Sequence, residues 1–229
     1  MPNLTVHDLS MHYTERGDGS PLVALHAATA NGILMGWIAD DLKKQGFNVI
    51  TPDQRGHGQT ANPAPDLHLT RLVDDLLEFL FVLGRGPVHG LGYSMGGGVL
   101  LYAAKRQPEV FQSLVLLGTN YRHASPERIS SIVGTPNQRQ GKVREVFDPE
   151  SGIGVGWDSP ARAFKSLTQP SLIIGADRDE FTDVEDSLEL YRAMPNAELL
   201  VVPHTDHLGV VRHPVVHSAL HEFYARIPH

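Results

Sequence analysis

A chain of 229 residues, 41% apolar and 20% charged, has the balance of one soluble globular domain with a substantial core. Its formal net charge of -7 comes without long runs of one sign, which argues against nucleic acid or an anionic membrane as partner. There is no cysteine, so disulfides, thiolate catalysis and cysteine-ligated metals are excluded. The opening MPNLTVHDLS lacks the basic and apolar segments of a secretory signal, and no apolar run nears the ~20 residues that cross a bilayer. A cytoplasmic location is therefore expected.

In chain order, short apolar runs alternate with longer amphipathic segments, the rhythm of an α/β sheet. The expected strands are LTVHD, LSMHYTE, PLVALHA, FNVITPD, PVHGLGY, SLVLLGT, SLIIGAD and AELLVVP. The first two alternate in polarity and lie close together, as an antiparallel pair at a sheet edge would. The later ones are continuously apolar, as parallel strands covered on both faces are. LHLTRLVDDLLEFLFVLG and DSLELYRAMPN carry apolar residues at helical spacing with acids opposite. These features predict a mostly parallel eight-stranded sheet with helices on both faces, in one domain spanning residues 1–229. The rhythm breaks at about 120–164, a stretch rich in Ser, Pro, Gly, Gln and Arg, which predicts a small cap over a site.

Gly92-Tyr93-Ser94-Met95-Gly96 fits G-x-S-x-G and stands between the apolar strand PVHGLGY and the helical GGGVLLYAAKRQ. A serine on so tight a strand-to-helix turn is held in strained backbone geometry with its hydroxyl projecting from the sheet. Glycine is needed two residues to either side, where neighbouring chains crowd in. Gly96 and Gly97 then let the helix start close to the adjacent strand, while Gly98 has no independent explanation from the sequence. The helix N-terminus behind Ser94 supplies free N–H groups, with that of Met95 aimed at an oxyanion.

Over nearly its whole length the chain resembles the α/β-hydrolase fold family, and GYSMGG resembles its nucleophile elbow. The order of functional residues in that family is nucleophile, acid, histidine. The resemblance thus implies an acid after SLIIG, where Asp177 and Asp179 both stand, and counting back from a helix start near Glu185 favours Asp179. After AELLVVP, the spacing from Pro203 to His207 resembles the family's histidine loop, which makes His207 the expected general base, with His204 the runner-up. By the same alignment Ala28 is the expected second oxyanion donor. His26 is followed by Ala27 where similar hydrolases carry glycine, so the donor could instead move to Ala27; a positive φ there would cost an alanine about 1 kcal/mol. TPDQRGHGQT looks like the family's structural D-x-R-G-x-G segment, and a buried Arg55–Asp53 pair bracing the loop is expected. His57 precedes the nucleophile and so contradicts the family order.

A metal site built from His204, Asp206, His207, Asp177 and Asp179 competes with this reading, but nothing has helical H-x-x-x-H spacing and the elbow would be left unexplained. No cofactor or metal is expected. Trp37, Tyr93, Tyr121, Phe147, Trp157 and Phe181 lie near strand ends or in the cap and are candidates for an apolar substrate pocket. No basic cluster for a phosphate or carboxylate stands out apart from Arg122, Arg139 and Arg144 in the cap, so an anionic substrate is not the first expectation. The leading expectation is a serine hydrolase cleaving small carboxylic esters through an acyl-enzyme. Lactonase, carbon–carbon bond hydrolase or perhydrolase chemistry on the same residues are close rivals. A hydrolase-like ligand-binding sensor with little turnover is the alternative of another class.

Overall fold

Eight strands form at the eight apolar runs: β1 (Asn3–Val6), β2 (Leu9–Arg16), β3 (Ser20–Leu25), β4 (Phe47–Pro52), β5 (Val88–Tyr93), β6 (Phe111–Leu117), β7 (Ser171–Ala176) and β8 (Ala197–Val202). The computed structural model describes residues 2–64, 66–122, 130, 134, 141–157 and 159–228. The strands join in one sheet of order β1-β2-β4-β3-β5-β6-β7-β8. β1 and β2 pair antiparallel at one edge, β2 meets β4 antiparallel, and every pairing from β4 through β3 to β8 is parallel.

Period-two alternation sends successive residues of each strand to opposite faces. In β3, Val23 and Leu25 enter one core and Leu22 and Ala24 the other. The first core is closed by α2 (Leu69–Leu83), α3 (Met95–Arg106) and α5 (Val184–Ala193), through residues such as Leu72, Val99 and Leu190. The second is closed by α1 (Gly36–Leu42) and α7 (Pro214–Tyr224), which contribute Ile38 and Leu220. Both faces of the inner parallel strands are thereby removed from water, with β4, β5 and β7 buried at every position, while β8 at the sheet's end is only partly buried. Burial of this kind contributes roughly 25 cal/mol per Å² of apolar surface.

Residues 123–129, 131–133, 135–140 and 158 of the expected cap, with Arg139 among them, lie outside the described residues. Within that stretch α4 (Gly141–Val146) and the loop after it pack across the start of α2: Leu67 N–H donates to Ser151 O at 2.6 Å and Leu69 N–H to Val155 O at 3.1 Å. A further short helix, α6 (His207–Val210), follows β8. The loops after β3, β5, β6, β7 and β8 all leave the carboxyl ends of parallel strands, so they gather on one side of the sheet. Sites in open α/β sheets are built at that side.

The buried arginine does not pair as expected. Arg55 donates to Asp75 on α2 at 2.7 and 2.9 Å and to Asp8 at 2.7 Å. Asp53 instead accepts the N–H groups of Gly32 and Gln59 and faces His12 Nδ1 at 3.1 Å. The short carboxylate satisfies a backbone donor of its own loop and one of the segment after β3, leaving the longer guanidinium to reach a helix twenty residues on.

Candidate active site

Ser94 ends β5 with φ 55° and ψ -117°, a region that a non-glycine residue occupies at a cost of about 1–3 kcal/mol. Its N–H donates to Leu117 O at 2.9 Å and its carbonyl accepts Gly98 N–H at 3.1 Å, so strand β6 and helix α3 together hold the strained turn. The turn leaves no room for side chains beside it. A Cβ on Gly92 would stand 2.5 Å from Gly96 O, and one on Gly96 would stand 2.5 Å from Leu25 O. Gly98 now has an explanation: a Cβ there would meet the indole of Trp157 at 2.5 Å. The third glycine seats a cap residue directly on α3.

Two loops from distant parts of the chain meet the hydroxyl. His207 Nε2 lies 2.9 Å from Ser94 Oγ, and His207 Nδ1 lies 2.7 Å from Asp179 Oδ2. With a carboxylate beside it, Nδ1 carries the proton and donates, so Nε2 presents its lone pair to the Ser94 hydroxyl. Asp179 is fully buried in its side chain; its other oxygen accepts the N–H groups of Phe181 and Thr182, each at 2.8 Å. Burial pushes this carboxyl up, but the hydrogen bonds from His207 and Thr182 outweigh it and hold the group below its ordinary value. It stays an anion facing the imidazole.

The imidazole is fixed by more than Asp179. Tyr93 O–H donates to His207 O at 2.7 Å, and the rings of Tyr93 and Phe181 lie 5.2 and 4.8 Å from it. Burial pushes the Tyr93 phenol well above its usual range, so it remains a donor. Asp177 does not reach the imidazole; it accepts Thr205 N–H at 3.2 Å and braces the loop that carries His207. His204 is turned away, its Nδ1 accepting from Arg178 at 2.7 Å.

The N–H groups of Met95 and Ala28 have no hydrogen-bond partner among the described residues, and both residues line the cavity at Ser94. The feared strain at Ala27 is absent. The positive φ of this loop, 62°, falls on Thr29, and His26 shapes the turn by donating Nδ1–H to Ala27 O at 2.8 Å while its Nε2 accepts Gln54 N–H at 3.0 Å. Burial pushes His26 down to about 4, so it is neutral and structural. His57 is likewise neutral, pushed down to about 3 chiefly by burial, with the Lys142 ammonium adding to it; it belongs to a neighbouring cleft.

The cavity at Ser94 measures about 320 Å³. Four of the six expected pocket residues line it: Tyr93, Phe147, Trp157 and Phe181. The other two do not. Trp37, on α1, packs on His217 of α7 at 4.6 Å and so lines the adjacent cleft instead. Tyr121 is fully buried, its ring against Phe164 and its hydroxyl bonded to Glu189, so it serves the core under α5. Val143, Ile153 and Leu208 complete the apolar wall; nothing in their local sequence separates them from ordinary loop and core residues. Arg122 is engaged by Asp186 and Arg144 lines neither cavity.

A family model described as alpha/beta hydrolase fold matches residues 20–153. The (E)-2-((N-methylformamido)methylene)succinate hydrolase of Acinetobacter baylyi is 29% identical over 193 residues, covering 76% of this chain and 72% of that one. A meta-cleavage product hydrolase from Pseudomonas fluorescens is similar in structure with TM-score 0.84 at 19% identity, over 98% of this chain and 97% of that one. A thermophilic esterase from Thermogutta terrifontis is similar with TM-score 0.81 at 21% identity, over 98% and 97%. At those identities the two solved structures speak to the shared fold.

Proposed function

This chain belongs to the α/β-hydrolase fold family, and from that premise we propose that it is a serine hydrolase cleaving small carboxylic esters through an acyl-enzyme. One observation carries the reading: an unbroken hydrogen-bonded line from Asp179 through His207 to Ser94, at 2.7 and 2.9 Å, that ends in an apolar cavity lined by two residues whose N–H groups have no partner among the described residues. No metal or cofactor enters the chemistry that this line supports.

In the proposed reaction Ser94 Oγ attacks the ester carbonyl as its proton passes to His207 Nε2. The carbonyl oxygen gains the negative charge, and the N–H groups of Met95 and Ala28 donate to it. Asp179 stabilises the imidazolium and keeps the proton of Nδ1 in place. Collapse of the tetrahedral adduct breaks the bond to the alcohol, which leaves with the proton from Nε2. A water then gives its proton to Nε2, attacks the acyl-serine, and releases the acid with Ser94 restored. Removing one oxyanion donor in such a site costs on the order of 10²–10³ in turnover.

The test is hydrolysis of short-chain p-nitrophenyl esters by the protein and by Ser94→Ala, alongside labelling with a fluorophosphonate. The expected result is covalent labelling at Ser94 and a loss of at least about 10⁴-fold in kcat for the variant. Equal turnover by both proteins, or no labelling, rejects the proposal; no labelling also marks the behaviour of a binding protein.

A further inference from the structure

A second cleft, of about 630 Å³, adjoins the cavity at Ser94 and shares with it the wall formed by Thr29, Ala30 and Leu34. Its chemistry is of the opposite kind. Where the first cavity is walled largely by aromatic and aliphatic groups, the second presents Lys142 and Arg212 and has no carboxylate among the described residues of its lining, in a chain whose net charge is -7. Arg212 has no acidic partner among the described residues. Lys142 has Glu145 one helical turn along at 3.2 Å, a weak pairing on a helix surface, and makes no hydrogen bond through it.

The indole N–H of Trp37 is buried with no acceptor among the described residues, and Lys142 Nζ, also buried, makes no hydrogen bond among them, the Glu145 carboxylate at 3.2 Å lying outside hydrogen-bond geometry. Buried donors left unpaired are rare in folded proteins, because each forfeits its hydration without replacement. A carboxylate is matched to this set. It brings a full negative charge, several lone pairs for the ammonium and the indole, and a second oxygen for the guanidinium. His57, neutral in the same wall, contributes no charge of its own and leaves the cations as the dominant field.

We propose that this cleft is an anion subsite, and that the ester bound at Ser94 carries a free carboxylate at its far end, held by Lys142, Arg212 and the Trp37 N–H. The substrate class is then a half-ester of a small dicarboxylic acid. The inference rests on the ester-hydrolase reading of Ser94 for its substrate, but the anion subsite can be tested without it.

Mono-p-nitrophenyl glutarate and p-nitrophenyl pentanoate have similar length and differ in the terminal carboxylate. The quantity to follow is the ratio of their kcat/KM values in the wild type, in Lys142→Arg, and in the double variant Lys142→Met/Arg212→Gln. The expected ratio favours the charged ester in the wild type, survives in Lys142→Arg, and falls about tenfold in the double variant, as loss of charge-assisted hydrogen bonds requires. Raising the salt concentration should narrow the wild-type ratio, since the cleft is open to solvent. A ratio that is the same in wild type and double variant overturns the anion subsite while leaving ester hydrolysis standing. If neither ester is cleaved, the reading of Ser94 fails and glutarate binding measured by calorimetry decides the subsite alone: affinity lowered about tenfold in the double variant supports it, and absent or unchanged binding overturns it.

Discussion

Gly98→Ala is a substitution whose consequence can be worked from contacts alone. The new methyl would stand 2.5 Å from Cη2 and 2.7 Å from Cζ2 of Trp157. Ordinary van der Waals contact begins at 3.4 Å, so the indole must withdraw from α3 by about 0.9 Å, the difference between the two distances. Trp157 lines the cavity at Ser94, and the withdrawal is expected to take room from it. Losing the space of about one methylene removes roughly 0.8 kcal/mol of apolar burial, or about fourfold in the specificity constant for a chain long enough to fill the cavity. For stability, alanine in a helix gains about 1 kcal/mol over glycine, while overpacking loses about 1–3 kcal/mol, so a net loss of up to about 2 kcal/mol is expected. The assay is kcat/KM on p-nitrophenyl acetate, butyrate and octanoate. Octanoate relative to acetate should fall at least about fourfold in Gly98→Ala, and Trp157→Phe in the same protein, which deletes the clashing ring atoms, should restore it. A uniform loss on all three esters, or no rescue by Trp157→Phe, would refute the reasoning.

Two further predictions follow from the same geometry. Asp179→Asn should lower kcat by about 10⁴-fold with KM little changed, because an amide can hold the imidazole in the wrong tautomer and offers no charge to the imidazolium; steady-state kinetics at neutral pH decide this, and a loss below about tenfold would count against the relay. His26 binds its proton in the unfolded chain near 6.5 and in the folded one only near 4, so the stability it contributes is complete above 6.5 and is lost as pH falls toward 4. Urea unfolding of the wild type should therefore lose on the order of 3 kcal/mol over that window from this group, and His26→Gln should show a shallower acid slope; equal slopes in the two proteins would contradict it.

The sheet could be read from the sequence because burial on both faces writes itself as unbroken apolar runs and burial on one face as alternation, and all eight strands stand where those two patterns predict. The elbow was legible for a local reason, since a serine between close-packed glycines is a backbone requirement that no other turn imposes. The place of Asp179, beside His207, was legible through helix α5, which begins at Val184, close to the predicted start. What the sequence hid depends on contacts far apart along the chain. Arg55 has its partner on α2, Gly98 has its reason in a cap residue 59 positions on, and the cleft of Lys142 and Arg212 is assembled from α1, the loops after β3 and β4, α4 and the loop before α7. Trp37 and Tyr121 were placed with the pocket because aromatic residues near strand ends look alike until the helices above them fix which way the rings turn.

The hydrogen bond from Tyr93 to His207 O spans 114 residues of sequence. His207 hangs from β8, the strand at the open end of the sheet, where one side has no neighbour and fraying begins. Tyr93 belongs to the middle of the sheet and immediately precedes Ser94. The phenol therefore works as a mooring line: it ties the backbone of His207 to the middle of the sheet, so that the imidazole's station beside the serine does not depend on the outer strand alone.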